Sequence, residues 1–326
     1  MVMAQSLFKS LKIQYPERAI DVLAPIWSEG LLRRMPEIRH SILHTIEHGQ
    51  WAWRERYQLG KSLRQKRYQQ AIVLPNSWKS ALIPFWAKIP HRTGYVGEMR
   101  YGLLNDIRPL DKLLLSQTVE QFVALGLPKH ERRVGKKILF PRLSPGRVEY
   151  ALQHFNLTMP TQPILALCPG AEFGPAKCWP LEYYATVAQQ KIAQGWQVWL
   201  FGSHKDNPIG VKIEQRVADN NCLNLCGKTT LSQAIDLLSL ASAIVSNDSG
   251  LMHVAAALGK PLIALYGSSS PDKTPPLGGK NKILYLGLKC SPCFQRACPL
   301  KHLKCLREIK PTQVLKQIDF LCAQAD

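Results

Sequence analysis

The segment Val245-Ser246-Asn247-Asp248-Ser249-Gly250-Leu251-Met252-His253 places a carboxylate, two hydroxyls and a glycine where an apolar run gives way to a helical pattern. Asp248 or Ser249 can cap the helix that follows. Gly250 lets a ligand approach the backbone, and the amides and dipole of a helix start suit an anion such as a diphosphate. Taken alone, the segment is equally an ordinary capped strand-to-helix turn with His253 packed in its helix. A second segment, Pro169 to Pro180 (PGAEFGPAKCWP), carries Lys177 in a loop after another apolar run. Lysine is a point charge suited to a leaving diphosphate, although a solvated surface position is the usual fate of this residue type. Gly202-Ser203, Gly227-Lys228-Thr229-Thr230 and Gly267-Ser268-Ser269-Ser270 follow further apolar runs. Several strand ends in this half therefore offer small or hydroxyl residues, which points to a phosphate-bearing ligand. Neither the G-x4-G-K-[ST] nor the G-x-G-x-x-G spacing occurs in these turns, so a Walker A loop and a hydride-transfer cofactor are unsupported.

In the first half, Leu74-Pro75-Asn76-Ser77-Trp78-Lys79-Ser80 again joins an apolar run to a helical one, and His91-Arg92-Thr93-Gly94 and Arg100-Tyr101-Gly102 follow. Arginine in such turns can grip carboxylates or phosphates with two parallel bonds. The run Lys61, Arg64, Lys66, Arg67 reads instead as a solvated helix face. Cys290, Cys293, Cys298 and Cys305 cluster as C-x2-C-x4-C-x6-C. One close pair plus two thiols could surround zinc, but the second close pair of a zinc ribbon is missing, and a reduced cysteine-rich loop with no metal is the reading adopted.

The elements that must position these residues alternate along the chain. Ala71 to Leu74, Ile164 to Leu167, Val198 to Phe201, Ala243 to Val245 and Leu262 to Leu265 are short, β-branched-rich runs ended by Gly, Pro, Ser, Asn or Asp. They read as buried parallel strands. Helical patterns lie between them, at Leu181 to Ala193, Ile213 to Ala218, Leu231 to Ala241 and Leu251 to Leu258, and this alternation is the signature of βαβ units. The fold class is α/β. A break over residues 141–162, rich in proline, separates a domain of residues 1–150 from one of 151–326, and 326 residues suit two domains at about 150 residues each. Two doubly wound, Rossmann-like domains would face each other across a cleft, with ligand at the carboxyl ends of the strands. The last helix, 311–326, is expected to pack back on the first domain. Met3, Leu7 and Leu11 mark an amphipathic helix over residues 2–12, ahead of a strand at Ala19 to Leu23. Doubly wound domains usually open on a strand, so the first strand of this domain is read as absent and that helix as poorly anchored.

Composition narrows the function classes. Lys and Arg total 42 against 23 Asp and Glu, a net of +19. Residues 1–150 hold 25 of the basic and 12 of the acidic groups, a net of +13. Such a field favours an anionic partner: a charged substrate, an anionic membrane or nucleic acid. Aromatic residues do not interleave with a basic stripe, which argues against nucleic acid. No run reaches the roughly 18 apolar residues of a membrane span, and the start of the chain lacks the basic and apolar regions of a secretory signal. A cytoplasmic protein is expected, and nine cysteines there are expected to be mostly reduced.

Together, Pro169 to Pro180, Asn247 to His253, Gly267 to Pro276, Leu74 to Ser80, His91 to Gly94 and Gly97 to Asp106 closely resemble the ADP-heptose:lipopolysaccharide heptosyltransferases, in the same order over nearly the whole chain. The resemblance implies a GT-B type fold and an inverting, metal-independent transfer of heptose from ADP-heptose to the first heptose of the lipopolysaccharide inner core. It implies no cofactor. The donor site would lie in the second domain on Gly170, Lys177, Thr229, Asp248, Ser249, Gly250, Leu251 and His253. Lys177 would hold the diphosphate, Asp248 the donor sugar, and the helix start after Thr229 would lie by the adenine. The heptosyl-Kdo2-lipid A acceptor would meet the first domain on Asn76, Ser77, Lys79, Arg92 and Arg100, with peripheral contact to the cytoplasmic face of the inner membrane. Two departures stand out. The general-base aspartate of the family belongs to a Gly-Asp loop that would precede Met1, so no catalytic residue is assigned within the chain. An arginine often follows the family's lysine, where this chain has Cys178. The resemblance aside, another nucleotide-sugar transferase or epimerase, or a non-catalytic basic protein, would share these features.

Overall fold

The structure is a computed structural model and describes residues 1–47, 49–131, 134 and 138–324. The chain forms two compact units, one of Met1, Met3–Glu29 and Pro36–Leu139, the other of Val2, Gly30–Met35 and Phe140–Asp326.

The first unit holds strands β1 (Asp21–Pro25), β2 (His40–His44), β3 (Gln70–Val73), β4 (His91–Tyr95) and β5 (Asp106–Arg108). All pairings are parallel, but they fall into two sheets, β1-β2 and β3-β4-β5. Among the described residues β1 and β3 each keep one unpaired ladder edge. A side-chain bond joins the two pieces: the Tyr68 hydroxyl donates to Asp21 Oδ2 at 2.6 Å. The opening helix runs Gln5–Gln14, preceded by a 3-10 turn at Val2–Ala4. It is not poorly anchored. Gln5, Ser6, Leu7 and Phe8 are buried, and Leu7 packs so closely on Gly126 that a Cβ there would lie 2.5 Å from it. The periodic apolar face found the helix 118–124 as its partner.

The second unit is a six-stranded parallel sheet of β6 (Ile164–Cys168), β7 (Gln197–Leu200), β8 (Cys222–Asn224), β9 (Ala243–Asn247), β10 (Leu262–Tyr266) and β11 (Asn281–Tyr285). Its order is β11-β10-β9-β6-β7-β8. Every residue of β6, β9 and β10 is buried. Helices cover both faces of such strands, which is why they read as continuous apolar runs and not as alternating ones. The helix Leu181–Ala193 has the bounds its pattern predicts, whereas the helix predicted from Ile213 starts six residues earlier, at Asn207, with Pro208 in its first turn.

Two expectations are corrected here. The last helix, Pro311–Ala323, buries Val314, Leu315, Ile318 and Leu321 in the core of the second unit, and Asp319 pairs with the buried Lys191 at 2.5 Å. Its apolar stripe is thus consumed within the second unit; Ala325 and Asp326 lie outside the described residues. Arg100 is fully buried. Its guanidinium donates to Pro75 O at 2.7 Å, to Ser80 Oγ at 3.3 Å and to Tyr95 O, tying β4 to the turn after β3. Arg92 likewise donates to Leu103 O at 2.7 Å and to Ile89 O. Both arginines complete loop carbonyls; Arg100 has no surface left for an acceptor, whereas the half-buried Arg92 keeps part of its guanidinium at the surface.

Replacing Arg100 by Leu would strand these acceptors in the interior. We expect a loss of about 2–4 kcal/mol, read as a lowered urea midpoint, with Arg100→Lys recovering only part of it. An unchanged midpoint would mean that the loop carbonyls find other donors.

Candidate functional site

Strand order locates the site. The second unit starts at β6, steps outward to β7 and β8, and then returns to the opposite side of β6 at β9. The crevice outside the carboxyl ends of the two strands flanking such a reversal is where open α/β sheets bind ligands. The 169–180 loop leaves β6 at this place, and the 248–250 turn leaves β9.

Asn247 binds the two together. Its carboxamide is fully buried. Nδ2 donates to Pro169 O at 2.7 Å, while Oδ1 accepts from the Trp179 backbone N–H and from the Tyr184 hydroxyl, each at 3.0 Å. The Trp179 indole N–H in turn donates to Ile309 O at 2.9 Å. With both ends of the loop held, Lys177 Nζ meets Asp248 Oδ2 at 2.5 Å, with side-chain exposures of 17% and 6%. A lysine and an aspartate so placed can be shared by a ligand: the ammonium takes an anionic oxygen, and the carboxylate accepts from hydroxyls.

The two helix starts differ. At Gly250–Ala257, Ser249 occupies the N-cap position but makes no capping bond; its hydroxyl lies 3.2 Å from Ser246 Oγ. The sequence reading of Asp248 or Ser249 as a cap is therefore not realised, and the first-turn amides are left to another acceptor. Nothing crowds Gly250 within 4 Å of a Cβ position. At Leu231–Leu238, Thr230 accepts from Gln233 N at 3.2 Å and the Gln233 side chain closes a capping box. That start, beside the half-buried Thr229, is already satisfied. Gly170 is also required by a close neighbour. A Cβ there would sit 2.2 Å from the Asp206 carboxyl, so the bare backbone makes room for Asp206. The hydroxyls of Ser268 and Ser269, after β10, are buried without a hydrogen-bond partner, as is His253 Nδ1.

The remaining residues belong to the first unit. Asn76, Ser77 and Lys79 belong to the turn after β3 in the first unit, where Lys79 Nζ donates to Gln50 O at 3.1 Å. Around them stands an aromatic group the sequence reading missed. Trp53 stacks with Trp51 at 6.2 Å and meets Trp78 and Trp86 at 6.0 and 5.6 Å. Their spacing in sequence shows no period, so only folding could gather them. Asn247 was also missed as a separate role, although it sits inside the segment that drew attention. Cys290, Cys293, Cys298 and Cys305 line one void of about 20 Å³. None of the nine cysteines is in a disulfide, and among the described residues no group of three or more His, Cys, Asp or Glu side chains is arranged to hold a metal ion. A larger cavity of about 540 Å³ is walled by Pro169, Trp179, Tyr183 and Leu306 among others. Lys177 and Asp248 lie outside it, so size and chemistry part company here, and the charged pair is the better guide.

Burial pushes the His253 imidazole down to about 4, with the Asp248 carboxylate opposing only part of the shift. The ring is neutral at pH 7. Between about pH 6.5 and 4 the unfolded chain binds its proton more readily. The contribution to stability is therefore complete above about 6.5 and is lost as pH falls toward 4, by at most about 3 kcal/mol. A His253→Gln variant should lose less stability than the parent between pH 7 and 4.5 in urea titrations. Parallel pH profiles would remove His253 from this account.

Comparison with known proteins identifies the family. The family model described as glycosyltransferase family 9 (heptosyltransferase) matches residues 56–304. Lipopolysaccharide heptosyltransferase 2 of Escherichia coli K12 is 46% identical over 335 aligned residues, which span 100% of this chain and 96% of that protein. Lipooligosaccharide heptosyltransferase 2 of Haemophilus influenzae is 49% identical over 88% of this chain and 85% of its own. The solved structure of E. coli ADP-heptose lps heptosyltransferase II superposes with a TM-score of 0.89 at 46% identity, covering 100% of this chain and 96% of that one. A parallel α/β architecture and similarity across the full length converge on one assignment: the chain belongs to glycosyltransferase family 9, the heptosyltransferases.

Proposed function

We propose that the chain is a lipopolysaccharide heptosyltransferase II, moving L-glycero-D-manno-heptose from ADP-heptose to the first heptose of the inner core with inversion and without a metal. The observation that carries the donor half is the Lys177–Asp248 pair at 2.5 Å beside a helix start with no side-chain cap. As the glycosidic bond to the diphosphate breaks, negative charge grows on the departing ADP. Lys177 and the amides of Gly250, Leu251 and Met252 are fixed positive ends where that charge develops, and preorganised groups of this kind need not reorient during the reaction. Asp248 is left to orient the donor sugar through its hydroxyls, with Ser249 at the edge of the same turn. The neutral His253 adds no charge of its own. No residue of the chain is assigned the base that accepts the acceptor proton.

The first unit is the acceptor side of this reading. Kdo carboxylates and lipid A phosphates are anionic, and Lys79 stands with Asn76 and Ser77 beside the exposed rings of Trp51 and Trp53. Aromatic faces with a cation among them suit the apolar faces and acid groups of such sugars. Arg100 serves this side by holding its loops, and the half-buried Arg92 does so through two of its nitrogens. Among the described residues no helix is long and apolar enough to cross a membrane. The reading places the enzyme in the cytoplasm, meeting its lipid-linked acceptor at the inner membrane surface.

Calorimetry with ADP tests the donor half. Lys177→Ala should weaken ADP by about 1.5–3 kcal/mol, the loss of a charge-assisted contact. UDP should compete poorly with ADP; equal competition would favour another nucleotide-sugar enzyme. For the acceptor half, Lys79→Ala should raise the KM for acceptor about tenfold, on the order of 1.4 kcal/mol, while leaving ADP affinity unchanged. Wild-type acceptor kinetics in that variant would move the acceptor elsewhere.

A further inference from the structure

We infer that Arg296 is a second cation for the diphosphate of the nucleotide donor, brought to the site by the cysteine-rich loop that follows β11. The inference rests on the donor site proposed above and adds to it a residue from a distant part of the chain. Its starting point is a shortage of charge. Lys177 is matched by Asp248 at 2.5 Å, so the pair by itself is neutral, while a diphosphate carries at least two negative charges. The next position, Cys178, adds nothing: burial pushes its thiol up to about 11, and its Sγ lies 3.8 Å from Gly174 O. Lys205 is taken up by Glu172 at 2.6 Å.

Arg296 stands where the missing charge is needed. The Ala176 N–H donates to Arg296 O at 3.0 Å, so the arginine is fixed by its backbone to the residue before Lys177. Gly174 shows how tight this seam is. Its φ is +146°, and a Cβ on it would lie 2.5 Å from Arg296 O. On the side-chain level the two cations share one ring: Lys177 Nζ lies 5.1 Å and the Arg296 guanidinium carbon 5.5 Å from the centroid of Phe173. Phe173 thus acts as a spacer that holds both cations near each other without neutralising either. The same loop is fastened to the end of β10, where Phe294 N–H donates to Ser268 O at 2.7 Å and Ser291 Oγ donates to Gly267 O. Arg296 itself is exposed, and among the described residues no carboxylate pairs with it. A guanidinium with its fork unused, on a stretch of backbone anchored beside Lys177, is suited to two parallel bonds to phosphate oxygens.

The test is ADP binding to the full chain by calorimetry, at low and at raised salt. Arg296→Ala should weaken ADP about tenfold and flatten its salt dependence, since one cation fewer meets the anion; Arg296→Lys should recover most of the affinity. Placing Cys178→Arg in the Arg296→Ala background should restore affinity by returning a charge beside Lys177, an outcome that a purely structural role for Arg296 would not produce. Lys177→Ala, run in parallel, reports on the donor site itself. If Lys177→Ala loses ADP while Arg296→Ala binds as the parent does, Arg296 is excluded and the donor site stands. If Arg296→Ala weakens ADP with an unchanged salt slope and no rescue, the arginine acts through loop packing and the proposal is overturned. If neither substitution changes ADP binding, both the proposal and the donor site fall.

Discussion

The buried carboxamide of Asn247 is the contact on which the donor side depends. It lies at the strand reversal, fully out of water, and its donor and acceptor atoms are committed to Pro169 O, Trp179 N–H and Tyr184 O–H. A buried polar group deprived of its partner costs about 1–3 kcal/mol, so each of these groups holds the others in place. The result is a loop pinned at both ends against the end of a neighbouring strand. The reach of Lys177 to Asp248 follows from this pinning, because a lysine on a free loop would lose rotamer entropy in holding one geometry. An aspartate in place of Asn247 would offer no donor to Pro169 O and would bring a second carboxylate next to Asp248.

Electrostatics in this protein is decided by where charges are spent, not by how many there are. The net of +19 overstates the field available to a ligand. Arg100 and Arg56 are buried, and Arg108 divides its donors among Asp106, Ala124 O and Leu127 O. Arginine's five donors make it an efficient partner for several loop carbonyls at once, and the first unit uses it in that way. Lysines and exposed aromatic rings are left to face solvent. In the second unit the contrast between two helix starts has the same character: Thr230 and Gln233 satisfy one from within, while Ser249 leaves the other open.

The first unit shows what a parallel sheet does when its ladder is interrupted. β1 and β3 each carry one partner among the described residues, and the Tyr68–Asp21 bond spans them by side chains. Burial of the hydroxyl and its bond to Asp21 push Tyr68 up to about 12, which keeps it a neutral donor throughout the ordinary pH range. The apolar cluster of Leu63, Ile83, Ala87 and Ile89, with Leu23 and Ile42 packed on it, supplies the remaining cohesion. Hydrophobic burial, being non-directional, can join strands that share no ladder.

Particular residues mark the limit of what the sequence determined. The strands β6, β9 and β10 were legible because a strand buried on both faces must be apolar throughout, and the turns after them because small and hydroxyl residues end such runs. The segments holding Lys177 and Asp248 were therefore visible before folding, as was the family they resemble. Their pairing was not. Lys177 and Asp248 lie far apart in the chain, and only the reversal of strand order between β6 and β9 makes them neighbours. The fate of the arginines was hidden for a similar reason: a turn with a cation reads alike whether its guanidinium faces a ligand, as inferred for Arg296, or a set of internal carbonyls, as for Arg100. Local pattern fixes which residues stand at strand ends, because it records each element's own burial. Which of them meet depends on crossover and packing, and those are properties of elements in contact that no single segment contains.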